Sequence, residues 1–217
     1  SGTSTTRFTI SEDFEFGGLS ITPDKSLIFL SSSDKIWKIT VSSWTVELWI
    51  TCAFGEFCSS MKELEVTIDG SYLLVLNGYN PRALYQVDLT TSCLDTFASS
   101  CATLIAGHPD YDHVDGTGSN ARFQAPRSMS LSPDGSNVVV WEEAFNGIRK
   151  IVISTGQVTT LTSTNFQNTG RWDRKIRYSR DGNYIILMSD NCCSAPYTDF
   201  PVMVLDTAGT LVDTIDV

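Results

Sequence analysis

The 217-residue chain is 41% apolar and carries 15 basic against 25 acidic residues, a net charge of −10. That apolar content can bury a sizeable core and excludes a disordered chain, while the negative charge over most of the surface excludes a polyanion such as nucleic acid as partner. No apolar run reaches the length of a membrane-spanning helix, so no membrane insertion is expected, and Ser1 marks a chain that is processed there or belongs to something longer.

In chain order, TRFTISEDFEF (residues 6–16) reads as an outer strand donated to another unit. Four segments of one pattern follow, each built around an aspartate turn: PDK, IDG, PDG and RDG, with Asp24, Asp69, Asp134 and Asp181 at intervals of 45, 65 and 47 residues. Such spacing belongs to repeat architectures, and the long middle interval holds an insertion. In the third segment SMSLS is a half-buried strand, PDG the reversal, NVVVWE a buried run, and GIRKIVIS and QVTTL two further strands. The second runs EVTI, YLLVLN, ALYQVDL, CATLIAG, and the fourth KIRYS, YIILMSD, PVMVLD, LVDTIDV. RWDRKIRYSR is the one basic run, and its alternation fits a strand with a charged outer face. No stretch has helical periodicity over three turns.

The expected fold is therefore all-β: a β-propeller of four-stranded antiparallel blades, about four in this chain, forming a partial ring or one completed by other segments. The blades are expected at approximately 17–50, 60–106, 124–161 and 172–217.

The third blade and the loop before it carry Asp115-Gly116, Ala121-Arg122-Phe123, Pro126-Arg127, Pro133-Asp134-Gly135 and Asn146-Gly147-Ile148-Arg149-Lys150. That order of motifs resembles the NHL class of propeller repeats, specifically over this blade; the others keep only the strand order and the aspartate turn. The resemblance implies a ring of about six blades. The segment around Ala121 then serves as the connection between blades, with Phe123 wedged between sheets, Arg122 bonding to neighbouring carbonyls, and Pro126, Asp134 and Gly135 as structural positions.

The six cysteines fall as Cys52 and Cys58, Cys93 and Cys101, and the adjacent Cys192 and Cys193. Six cysteines permit many connectivities, and no Cys-x-x-Cys pair suggests zinc. Disulfides are expected, the first two pairs each closing a short loop, and with them an oxidising, extracellular or cell-surface location. Cys192 and Cys193 either bridge each other, pair elsewhere or remain reduced.

Candidates for chemistry are few. Asp110, Asp112 and Asp115 in HPDYDHVDG suggest a calcium site, but their spacing departs from an EF-hand loop; the alternative is a solvated loop. Relatives of the resembled class include calcium-dependent lactonases, whose kind of site would need acidic residues such as Glu15, Glu63 and Asp173 to converge on the axis. Neither a nucleophile elbow nor a separately placed histidine is present. Among the tryptophans, Trp37 and Trp141 lie in strand patterns that suit packing between blades, whereas Trp44 and Trp49 can reach a partner. The leading expectation is a secreted or cell-surface NHL-like propeller acting as a structural or adhesive interaction module, without a cofactor. Protein or glycan partners, possibly including further copies of itself, are anticipated. The alternatives are a metal-dependent lactonase or esterase and a glycan-binding propeller.

Overall fold

The computed structural model describes residues 17–32, 34–52, 58, 60–90, 102–162, 174–189 and 202–215. They form four antiparallel sheets and no α-helix. The first contains β1 (Gly18–Ile21), β2 (Leu27–Ser31), β3 (Lys35–Thr40) and β4 (Thr45–Thr51). The second contains β5 (Met61–Val66), β6 (Tyr72–Asn77), β7 (Arg82–Asp88) and β8 (Ala102–His108). In the third, β10 (Pro126–Leu131), β11 (Asn137–Glu142), β12 (Gly147–Val152) and β13 (Gln157–Thr162) gain a short fifth strand, β9 (Gly116–Thr117), against β13. The fourth is β14 (Arg174–Tyr178), β15 (Tyr184–Ser189), β16 (Val202–Asp206) and β17 (Leu211–Ile215). The four main strands of each sheet meander in chain order and make one propeller blade.

The aspartate turns recur because the same side chains build them each time. In the third blade Ser132 donates to Asp134 (2.5 Å), Asp134 accepts the N–H of Ser136 (3.0 Å), and the Ser132 hydroxyl accepts the N–H of Asn137 (3.0 Å). Thr22 and Asp24, Thr67 and Asp69, and Ser179 and Asp181 repeat the arrangement. The residue after the aspartate has positive φ in all four: Lys25, Gly70, Gly135 and Gly182. Glycine adopts that conformation without a Cβ penalty, which accounts for Asp-Gly in three of the four. Hydroxyl donors hold all four carboxylates below the usual range, Asp134 down to about 2.

Three cores separate the four blades, one between each successive pair. Leu73 and Val75 of β6 enter the first core while Leu74 and Leu76 enter the second; Val138 and Val140 of β11 enter the second while Val139 and Trp141 enter the third. A strand covered on both faces reads as a continuous apolar run, which is why YLLVLN and NVVVWE lack alternation. Cys52 and Cys58, buried in the first core, form a disulfide across the link from β4 to β5. Cys93, Cys101, Cys192 and Cys193, like Glu15, Trp172 and Asp173, lie outside the described residues.

The inner strands β1, β5, β10 and β14 follow one another around the concave side of the arc. Their approach is close: a Cβ on Gly18 would lie 2.6 Å from the backbone nitrogen of Leu64. Among the described residues the fourth blade does not pack back onto the first.

Candidate functional site

The loop from His108 to Asn120 runs from the last strand of the second blade to the third, and the aspartates singled out in the sequence lie on it. Asp115 is held by the fully buried guanidinium of Arg149 on β12: Arg149 Nη2 donates to Asp115 Oδ1 (2.8 Å) and to the Val114 carbonyl (3.0 Å). Its Nη1 donates to Glu142 Oε2 (2.6 Å) and to the Arg122 carbonyl (3.1 Å). Glu142, also fully buried, accepts the N–H of Gln124 through its other oxygen (2.5 Å). One side chain thus fastens both arms of the loop to the blade, while the Phe123 ring lies 5.2 Å from the guanidinium carbon. Charge-assisted bonds of this kind are strong, and a planar fork makes several at once.

His113 completes the hub. Its ring stacks on Phe145 at 3.3 Å between centroids. Thr160 Oγ1 gives its proton to Asp115 (2.9 Å), so it accepts from His113 Nε2 (3.1 Å). His113 Nδ1 lies 3.1 Å from Arg149 Nη1 and 3.0 Å from Glu142 Oε2. Burial, followed by the Arg149 charge, holds the imidazole pKa below its ordinary value, which favours the neutral ring.

The three candidate calcium ligands do not converge. Asp115 faces Arg149 and Thr160, Asp110 lies 3.5 Å from Arg122 Nε and 3.3 Å from His108 Nδ1, and Asp112 accepts the backbone N–H of His113 (2.8 Å). Among the described residues no group of three His, Cys, Asp or Glu side chains is arranged to hold a metal ion. Arg122 donates to the Asn120 carbonyl (3.3 Å). Phe123 is fully buried in the second core, Pro126 is buried at the start of β10, and Asp134 and Gly135 form the third turn. Trp37 and Trp141 are buried, Trp49 packs on Phe29 at 5.1 Å, and Trp44 is 40% exposed.

A second charge cluster joins three blades at the inner strands. Glu63 of β5 accepts from Ser128 Oγ of β10 (3.0 Å) and from Arg177 Nη2 (3.1 Å) and Lys175 Nζ (3.4 Å) of β14. Its carboxylate is thus committed to two cations and a hydroxyl. Glu65, one pleat along, accepts the N–H of Leu131 (2.6 Å), and burial pushes its pKa up to about 7.

Glu65 belongs to a series. Ser20 Oγ of the first blade accepts the N–H of Val66 in the second (2.8 Å), Glu65 that of Leu131 in the third, and Ser130 Oγ that of Tyr178 in the fourth (3.1 Å). Ser20, Glu65 and Ser130 each stand four residues before the turn aspartate, and each capped N–H three before the next. Inner strands would otherwise leave these donors unpaired at a sheet edge. The rule is invisible in the sequence until register is known.

No family model matches the chain, and no curated protein sequence matches it. Solved structures do. Hydrazine synthase from Kuenenia stuttgartiensis is similar at 16% identity over 99% of this chain and 53% of that chain, with a TM-score of 0.63. TolB from Acinetobacter baumannii is similar at 18% identity over 95% of this chain and 45% of its own, with a TM-score of 0.59. A protein of unknown function from Bacteroides thetaiotaomicron matches at 15% identity over 79% and 44%, with a TM-score of 0.59. This chain therefore spans about half the length of these structures, and the likeness establishes its fold, the β-propeller type.

Two outcomes follow from the geometry. Arg149→Met leaves Glu142 buried without its cation and should cost about 3–5 kcal/mol in denaturant unfolding, while Arg149→Lys, which lacks the fork, should recover less than half of the loss. Because Glu65 titrates near 7 when folded and near 4.5 when unfolded, it favours the folded state most below pH 4.5, an advantage lost as pH rises through 7. Glu65→Gln should therefore stabilise the protein at pH 8, by up to about 3 kcal/mol, and change little at pH 4; a uniform effect across that range would refute the assignment.

Proposed function

We propose that the chain is an extracellular or cell-surface propeller unit, NHL-like in sequence, that works as an interaction module by docking protein partners on the exposed apolar residues of its first and fourth blades. The observation that carries this reading is the outer face of the first blade. Leu19, Leu30, Trp37 and Leu48 form one row of cross-strand neighbours, and Ile21, Ile28, Ile39 and Val46 a second. Both rows are wholly apolar, and Leu19, Ile21 and Leu48 are 54%, 46% and 53% exposed. At the other end Met188 and Ile215 are 42% and 49% exposed. Trp37 and Ile39 at the centre of the rows are buried, so the apolar surface left open to water lies along the two sides of the sheet, at Leu19 and Ile21 of β1 and Leu48 of β4, and such exposed apolar residues suit association.

Two further features support it. The acidic side chains that would serve metal-dependent hydrolysis are engaged where they are described, Glu63 by Lys175 and Arg177, and Asp115 by Arg149. The Cys52–Cys58 disulfide suits an oxidising compartment, and among the described residues no helix is long and apolar enough to cross a membrane.

Alkylation of the native protein under denaturing, non-reducing conditions should find no free thiol at Cys52 or Cys58; free thiols there would remove the support for an extracellular location. For docking, the immobilised chain is offered a preparation of extracellular proteins beside its Leu19→Asp and Met188→Asp variants, with a glycan array in parallel. Proteins retained by the wild type and lost in either variant are expected. Retention indifferent to both substitutions, or binding seen only on the array, overturns the reading.

A further inference from the structure

Between the third and fourth blades, on the side of the aspartate turns, lies a groove of about 480 Å³. That is the size of a small-molecule site. It is lined by Asp134, Asn137 and Lys150 of the third blade and by Tyr178, Asp181 and Thr207 of the fourth. Part of this lining belongs to the repeat. Successive turns stack, so that a Cβ on Gly70, Gly135 or Gly182 would meet Pro23, Ile68 or Pro133 of the preceding blade at 3.5, 3.3 and 3.5 Å.

Two positions depart from the repeat. The residue three before the turn aspartate is Ile21, Val66 or Leu131 in the first three blades, but Tyr178 in the fourth. The other lies across from the fifth residue after the aspartate: Phe29 pairs with Lys38, Leu74 with Gln86, and Val139 with Lys150. Lys38 is neutralised by its own cross-strand neighbour Glu47 (2.5 Å), and Gln86 carries no charge. Lys150 instead stands between Val139 and Thr159. Among the described residues neither the Lys150 ammonium nor the Tyr178 hydroxyl has a hydrogen bond or ion pair, although the Tyr178 ring packs on the third core.

The two aspartates supply the opposite charge. Oδ1 of each holds its own turn, while Oδ2 accepts one donor, Ser136 Oγ on Asp134 and Asn183 Nδ2 on Asp181, and has a lone pair left. Hydroxyl donors keep both carboxylates ionised. Burial, followed by the Asp134 charge, pushes Tyr178 up to about 12, so its hydroxyl remains a donor. Among the described residues neither carboxylate meets a cation. One groove therefore holds both signs of charge without their touching.

We propose that this groove binds a small zwitterion, an amine and a carboxylate on one short skeleton, as in a free amino acid or a short peptide. The amine answers Asp134 and Asp181, with the Tyr178 ring beside them, and the carboxylate answers Lys150. An anion alone is repelled by the two aspartates and a cation alone by Lys150, whereas an uncharged polyol leaves all three charges uncompensated. The site is separate from the exposed apolar residues of the first and fourth blades, so binding here and docking there succeed or fail independently.

The test is an amide-resolved NMR titration with alanine, dialanine and trialanine, each also in its N-acetylated and its C-amidated form. At least one free-ended probe should bind wild type with a dissociation constant below about 1 mM, shifting the amides of Asn137, Lys150, Tyr178 and Gly182. Blocking either end should weaken that binding by about tenfold, the worth of one hydrogen bond to a charged group. Lys150→Met should bind the free-ended and amidated probes equally, and Asp134→Asn or Asp181→Asn, which keep an acceptor for the turn, the free-ended and acetylated probes equally. The proposal is overturned if no probe shifts the groove amides, if blocked and free-ended probes bind wild type alike, or if calcium chloride or glucose shifts those amides where the peptides do not. Should the variants fail to fold, the blocked probes on wild type decide alone.

Discussion

The structure depends on an asymmetry between the two faces of a blade. A four-stranded antiparallel sheet leaves its innermost strand with one edge of N–H and C=O groups unpaired, and in a propeller that edge faces the central channel. The chain answers with side chains from the preceding blade, Ser20, Glu65 and Ser130, each reaching one N–H of its neighbour. Because the acceptor always comes from one side, blades have a direction. Apolar burial holds the faces together, at roughly 1.5–3 kcal/mol for each large side chain removed from water. It also fixes register, since a shift of one residue would turn every core side chain to the wrong face, and the caps add to it because each acceptor would turn with them.

The buried charges sit where that scheme meets its longest insertion. The segment between the second and third blades closes on itself through one antiparallel bridge, Val114 with Arg122 (3.0 and 3.3 Å), and reaches the sheet by a short pairing of β9 with β13. Arg149 adds a second donor to the Val114 and Arg122 carbonyls, and Glu142 an acceptor to the Gln124 N–H. The two ions satisfy each other and the loop at once, which offsets their desolvation. Burial, and after it the charge of Arg149, disfavours a cationic His113 beside them. What resembled a ligand loop in sequence is a strap, and its aspartate is part of the fastening.

Much of this was legible beforehand, and the limits are physical. Blade number and strand order follow from the spaced aspartate turns, because a turn chemistry repeated four times fixes where the chain reverses. The hydroxyl two residues before each aspartate was equally visible, as TPD, TID, SPD and SRD, and gives the turn its second half. Arg149 left a fainter trace: alternation in GIRKIV puts it on the same face as Ile151, a core residue, so a charge there had to be paired. Its partners were not legible, for Asp115 and His113 stand 34 and 36 residues away and only the strap brings them together. The capping series was hidden for another reason. Serine and glutamate have little in common as residue types, and their shared role appears only once the strands are in register.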